Sequence, residues 1–170
     1  MIYVIMYLVA IVLANLTVAA FGPSVVILNA FLFIGLDLTA RDKLHDGWSN
    51  NHLKSKMFVL IVSGSFLSWI LNKDAAQIAI ASMVSFFIAA TIDTITYNLL
   101  INKKKLVKMN GSNIPSALAD SIVFPTIAFG NIIPSIIIGQ FLAKVIGGLF
   151  WSIVITKIME KRTSEAQIST

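Results

Sequence analysis

The chain has no cysteine, two histidines and four prolines in 170 residues, and charged side chains make up only 12% of it. Without thiols there are no disulfides and no thiolate-held metals; the reading calls for no cofactor and no metal. So little charge excludes an ordinary soluble domain, in which about a quarter of residues are charged. Strand-like alternation is also missing: Ser135 to Gly139 is a continuous apolar run, whereas a barrel strand alternates over roughly ten positions. No Walker loop, His-Glu-x-x-His pattern or Gly-x-Ser-x-Gly elbow occurs, and no catalytic residues are assigned; an enzyme is not expected.

What is present is apolar length. Hydrophobic residues make up 57% of the chain, and Met1 to Leu36 carries no charge. A membrane-spanning helix needs about 20 mostly apolar residues. Hydrocarbon cannot satisfy free backbone groups, so such runs cross a bilayer as helices. No basic residue precedes Arg41, so a cleavable leader is not expected. The pattern predicts an all-α bundle of six spans in one transmembrane domain, at about residues 2–21, 25–39, 57–71, 75–101, 112–130 and 134–159. Gly22-Pro23 marks a tight turn after the first span, and Trp48 sits at an expected interface. Polar connections are expected at Arg41 to Lys56 and Asn102 to Asn110, with a polar tail after Met159.

Basic residues set the orientation. With six spans, Arg41, Lys43, Lys54, Lys56, Lys103, Lys104, Lys105, Lys108, Lys157, Lys161 and Arg162 share one side, and Lys73 alone takes the other. The positive-inside rule then places both termini in the cytoplasm of a multi-pass inner-membrane protein. The same rule explains the net charge of +5 without nucleic acid as a partner; the bilayer is the surrounding medium.

Ionisable groups inside spans are costly and mark function by default. Four stand out: Asp37, Asp93, Asp120 and Lys144. Lys144 lies near the middle of the sixth span with Gln140 one turn before it, and Asp120 lies on the fifth span of the same hairpin. An Asp120–Lys144 pair serves either as a structural brace or as the wall of a substrate cavity. Pro125 withdraws the hydrogen-bond donor for the Ser121 carbonyl, which is either a plain kink or a broken-helix site. Asp93 with Tyr97 forms either a ligand-facing stripe or an interfacial one. Asp37 and Arg41, one turn apart, have spacing that favours a solvated helix end, with Arg41 suited to the helix dipole. Asn15 and Asn29 suit bonds to neighbouring helices, and Ala10/Ala14 and Gly147-Gly148 suit close helix packing.

The ending Asp37-x-Thr39-x-Arg41 followed by Trp48, then Asp93 with Tyr97, then Ala119-Asp120-Ser121 with Phe124 and Ala128-Phe129, resembles the putative vitamin uptake transporter family, which includes bacterial queuosine precursor transporters. The resemblance runs from about the first helix to the sixth. It implies a six-helix carrier importing a small purine-like base, a 7-deazaguanine in cyano or aminomethyl form. A carboxylate can accept neighbouring N–H donors of such a base. Asp120 is the first candidate and Asp93 the second; Gln140 or Lys144 would donate to the ring carbonyl, and Phe124, Phe129 or Trp151 would stack. Tyr97 and Asn29 complete the expected binding set, with Asp37, Arg41 and Pro125 as structural or gating residues. The alternatives are the substrate-binding subunit of an energy-coupling vitamin importer, with Ala10/Ala14 meeting its partner, and a non-transporting membrane scaffold. The oligomeric state and driving force are left open.

Overall fold

The computed structural model describes residues 1–48, 52–103 and 105–168. The middle of the first polar connection and Lys104 fall outside the described residues, as do the side chains of His45, Lys54, Lys105, Lys108, Lys161 and Arg162. The regular structure among the described residues is entirely helical, with no strand.

Helix α1 (Ile2–Phe21) ends at Gly22, whose φ of 66° lies in the left-handed region that glycine enters without strain. Pro23 then opens a 3₁₀ turn, Gly22–Val25, where its missing N–H is not needed. One continuous rod follows: α2 (Val26–Asn29), a π turn (Ala30–Ile34) and α3 (Gly35–Trp48). Helix α4 spans Leu53–Leu71, and the Asn72 side chain caps the next turn by accepting from the Asp74 amide at 2.9 Å. Helices α5 (Ala76–Leu99), α6 (Lys105–Phe129) and α7 (Pro134–Ile168) complete the chain. Gly130, at φ 69°, stops α6 before a short link to Pro134.

Helix extends past the apolar runs in three places. The second rod continues to Trp48, α6 begins at Lys105 inside the stretch expected as a basic loop, and α7 continues to Ile168. Lysine, leucine and glutamate are good helix formers, so a growing helix does not stop where hydropathy falls. Among the described residues, three stretches are long and apolar enough to cross a membrane: Ile2–Arg41, Lys73–Leu99 and Pro134–Ile158. The first contains the bend at Gly22, so it folds back on itself.

Helix α1 packs against α3, α4, the π turn and α5; α5 lies along α6, and α7 covers α3, the π turn and α6. Two apolar clusters form. Tyr7, Ile11, Ala40, Leu44, Met57, Leu60, Ile61 and Phe86 make one; Val18, Val26, Ile78, Ala81 and Ala128 make the other. By residue order along each helix, a belt of buried polar groups falls between them: Asn15, Asn29, Ser68, Ser82, Asp120, Ser121, Gln140 and Lys144. The outer surface is the reverse. On α7, Ile138, Leu142, Ile146, Leu149 and Ile153 form an exposed stripe opposite Gln140, Lys144 and Gly147. Water would penalise so long an apolar stripe, and hydrocarbon would not.

Backbones meet where α7 crosses the π turn. A Cβ on Gly35 would stand 2.6 Å from the Gly147 carbonyl carbon, and one on Gly147 would collide with the Phe31 carbonyl. Gly147 thus supplies the close packing expected of the Gly147-Gly148 pair. Ala10 and Ala14 are also buried, at 0% and 6% exposure. They are spent inside this chain, so the expected contact with a partner subunit is not available to them.

Candidate functional site

Helices α6 and α7 form an antiparallel hairpin whose facing positions bring Asp120 and Lys144 together at mid-height. The Lys144 ammonium donates to Asp120 Oδ2 at 2.6 Å, Ser121 Oγ at 3.0 Å and Gln140 Oε1 at 3.1 Å. An ammonium has three N–H donors, and all three are used. Ser121 is held in turn, its hydroxyl donating to the Ala117 carbonyl at 2.7 Å. Pro125, fully buried one turn later, leaves the Ser121 carbonyl without its helical N–H, yet the helix runs on through both Pro115 and Pro125.

A charge pair taken out of water is stable only when its remaining capacity is met. Here it is met on one side only. Asp120 Oδ1 and Gln140 Nε2 are buried and have no hydrogen-bond partner among the described residues. Gln140 orientation is fixed by chemistry, since only its carbonyl oxygen can accept from the ammonium. Both residues border a cavity of about 30 Å³. That cavity is lined from α1 by Ala14, Asn15 and Val18, and from the second rod by Val26, Asn29, Ala30 and Ile34. Ser82 and Phe86 of α5 line it too, with Asp120 and Phe124 of α6 and Gln140 and Lys144 of α7. Such a volume admits a water molecule or two, so a flat ring enters only as the walls part.

The two asparagines of the belt tie helices together. Asn29 Nδ2 donates to Thr17 Oγ1 at 2.7 Å and to the Ala14 carbonyl at 3.2 Å, closing the α1–α2 hairpin. Asn15 Nδ2 donates to Ser68 Oγ of α4 at 3.1 Å.

Of the residues singled out in the sequence, Asp120, Lys144, Gln140, Phe124 and Asn29 come together at this cavity. Asp93 and Tyr97 do not line it; both are half-buried on the last turns of α5, where one Asp93 carboxylate oxygen has no hydrogen-bond partner among the described residues. Phe129 packs edge-on against Phe124, ring centres 6.3 Å apart, and Trp151 packs against Phe150. Asp37 and Arg41 are not at a solvated helix end. They are 2% and 9% exposed, because α7 and α1 pack against α3. Arg41 Nη2 reaches Asn113 Oδ1 of α6 at 3.4 Å, and Thr39 Oγ1 donates to the Gly148 carbonyl of α7 at 3.3 Å. Ser82 and Phe86, not singled out in the sequence, face the cavity from α5. A serine and an aromatic one turn apart are the only signal they leave.

A model of the family described as "Putative vitamin uptake transporter" matches residues 1–159 of the chain. Among curated proteins no match is found, and none among solved structures.

Proposed function

The chain belongs to the putative vitamin uptake transporter family, and from that premise we propose that it imports a queuosine precursor, a 7-deazaguanine in cyano or aminomethyl form. Membership points to a membrane transporter of vitamin-like compounds, with a small molecule as its substrate. In this reading the six helical legs each cross the inner membrane, and both termini lie in the cytoplasm, where the positive-inside rule puts the basic connections.

The observation that carries the proposal is the cavity beside Asp120. A carboxylate oxygen and an amide N–H there lack partners, and Phe86 and Phe124 line the same space. A flat polar ring supplies what such a space needs: hydrogen bonds at its edge and an apolar face for aromatic contact. Buried ionisable groups at mid-height, beside a helix that carries a buried proline, also suit a carrier whose site opens to either side in turn. A scaffold gives no reason to leave polar atoms unpaired there. The importer-subunit reading is weakened because Ala10 and Ala14 are buried within the bundle.

The test is uptake of labelled 7-cyano-7-deazaguanine by cells unable to make it, with this chain as their only added transporter. Uptake is expected without energising subunits, and Asp120→Ala is expected to abolish it at equal membrane expression. Undiminished uptake by the variant would remove Asp120 from the site.

A further inference from the structure

We infer that the cavity reads a lactam edge of its ligand, one ring N–H beside one ring C=O, and not a pair of neighbouring N–H donors. The inference rests on the transport reading above and sharpens it.

Hydrogen-bond capacity decides the matter. Lys144 has no donor left, since its three N–H bonds go to Asp120 Oδ2, Ser121 Oγ and Gln140 Oε1. It therefore positions its neighbours and does not meet a ligand carbonyl. Ser121 is engaged as donor to Ala117 and as acceptor from Lys144. The Asn29 amide donates both its N–H bonds to α1. The fully enclosed polar atoms of the cavity lining that have no partner among the described residues are one acceptor, Asp120 Oδ1, and one donor, Gln140 Nε2; the Ser82 hydroxyl, also on the lining, can give or take a bond and so does not set the pattern.

Asp120 Oδ2 is already tied to Lys144, so Oδ1 is the carboxylate oxygen whose whole capacity is open to a ligand. It can take one ring N–H, while Gln140 Nε2 gives to the carbonyl alongside. The two groups are neighbours because one ammonium bonds to both. In a guanine-like ring that edge is the amide N–H and its adjacent C=O, and the exocyclic amine lies outside the pair. A 6-amino ring offers the opposite pattern, setting donor against donor and acceptor against acceptor. Buried polar groups left facing the wrong partner discriminate strongly.

The experiment is competition against labelled 7-cyano-7-deazaguanine uptake by the unaltered chain in cells. The analogue lacking the 2-amino group is expected to compete within about threefold of the parent. The N1-methyl and 6-amino analogues are expected to compete about a hundredfold less well. If the 2-desamino analogue is rejected like the N1-methyl one while uptake itself proceeds, the lactam inference is overturned and the transport reading stands. If the unaltered chain takes up no label, both are overturned. Gln140→Glu keeps an oxygen for Lys144 but removes the donor. It is expected to weaken uptake of the lactam probe about tenfold or more and to improve competition by the 6-amino analogue. An unchanged competition profile in that variant would also overturn the inference. The analogue panel needs no variant, so it decides even where Gln140→Glu fails to reach the membrane.

Discussion

Two buried charged regions lie a few helical turns apart in this bundle, and they are built differently. Around Lys144 every bond of the cation is made, yet its neighbours Asp120 and Gln140 each keep a polar atom without a partner beside a cavity. Around Arg41 the polar groups lash helices together: Arg41 to Asn113 joins α3 to α6, and Thr39 to Gly148 joins α3 to α7. The cavity beside Asp120 is not lined by Asp37, Thr39 or Arg41. Burial of charge is therefore a poor guide to function in such a protein. Space beside the charged groups is the better one, because Asp120, Gln140 and Lys144 border the cavity and the Arg41 group does not.

The comparison breaks most sharply at Lys144. Lys144→Met strands the Asp120 carboxylate and is expected to cost about 3–5 kcal/mol of stability, together with uptake. Adding Asp120→Asn removes the stranded charge. The double variant is expected to recover thermal stability in detergent while uptake stays lost; recovery of both would make this pair a brace like the other. Next in size is Gly147→Leu, which sets a side chain against the Phe31 carbonyl and is expected to cost about 3 kcal/mol, read as a lower melting temperature and less inserted protein. Asn113→Ala loosens the Arg41 brace. It is expected to cost about 1 kcal/mol, with uptake per folded molecule changed less than about twofold, measured by transport normalised to surface protein. The smallest effect is expected at Asp93→Asn and Tyr97→Phe, which leave probe affinity in a competition assay unaltered. A marked loss there would extend the site toward the end of α5.

Much of this architecture is legible in the residues. The uncharged opening with Gly22-Pro23 gives a helical hairpin, and the short link after Gly130 gives another, which is enough to set Asp120 near Lys144. The membrane cost of those two charges makes them conspicuous. What the chain hides is rotation. Helix α1 is apolar nearly all round and the polar residues of α5 are spread along it, so neither pattern alone says which face turns inward, and Ser82, Phe86 and Asn15 reach the cavity through packing. Asp37 and Arg41 show the opposite failure. Their i, i+4 spacing looks like an ordinary exposed helix end, and only the cover supplied by α1 and α7 makes it an interior. The apolar runs also understate helix length, since hydropathy marks where lipid ends and not where helical hydrogen bonding ends.

The wide turn at Ala30–Ile34 has a consequence for everything that follows it. A helix advances about 100° per residue, and a π turn carries one residue more than its α equivalent. It therefore acts as a phase adjustment: Asn29 before it looks toward α1, while Thr39 and Arg41 after it look toward α7 and α6. Deleting a single residue there would leave hydropathy almost untouched, yet it would swing the whole of α3 by more than a quarter revolution and carry an arginine from the interior of the bundle toward the lipid.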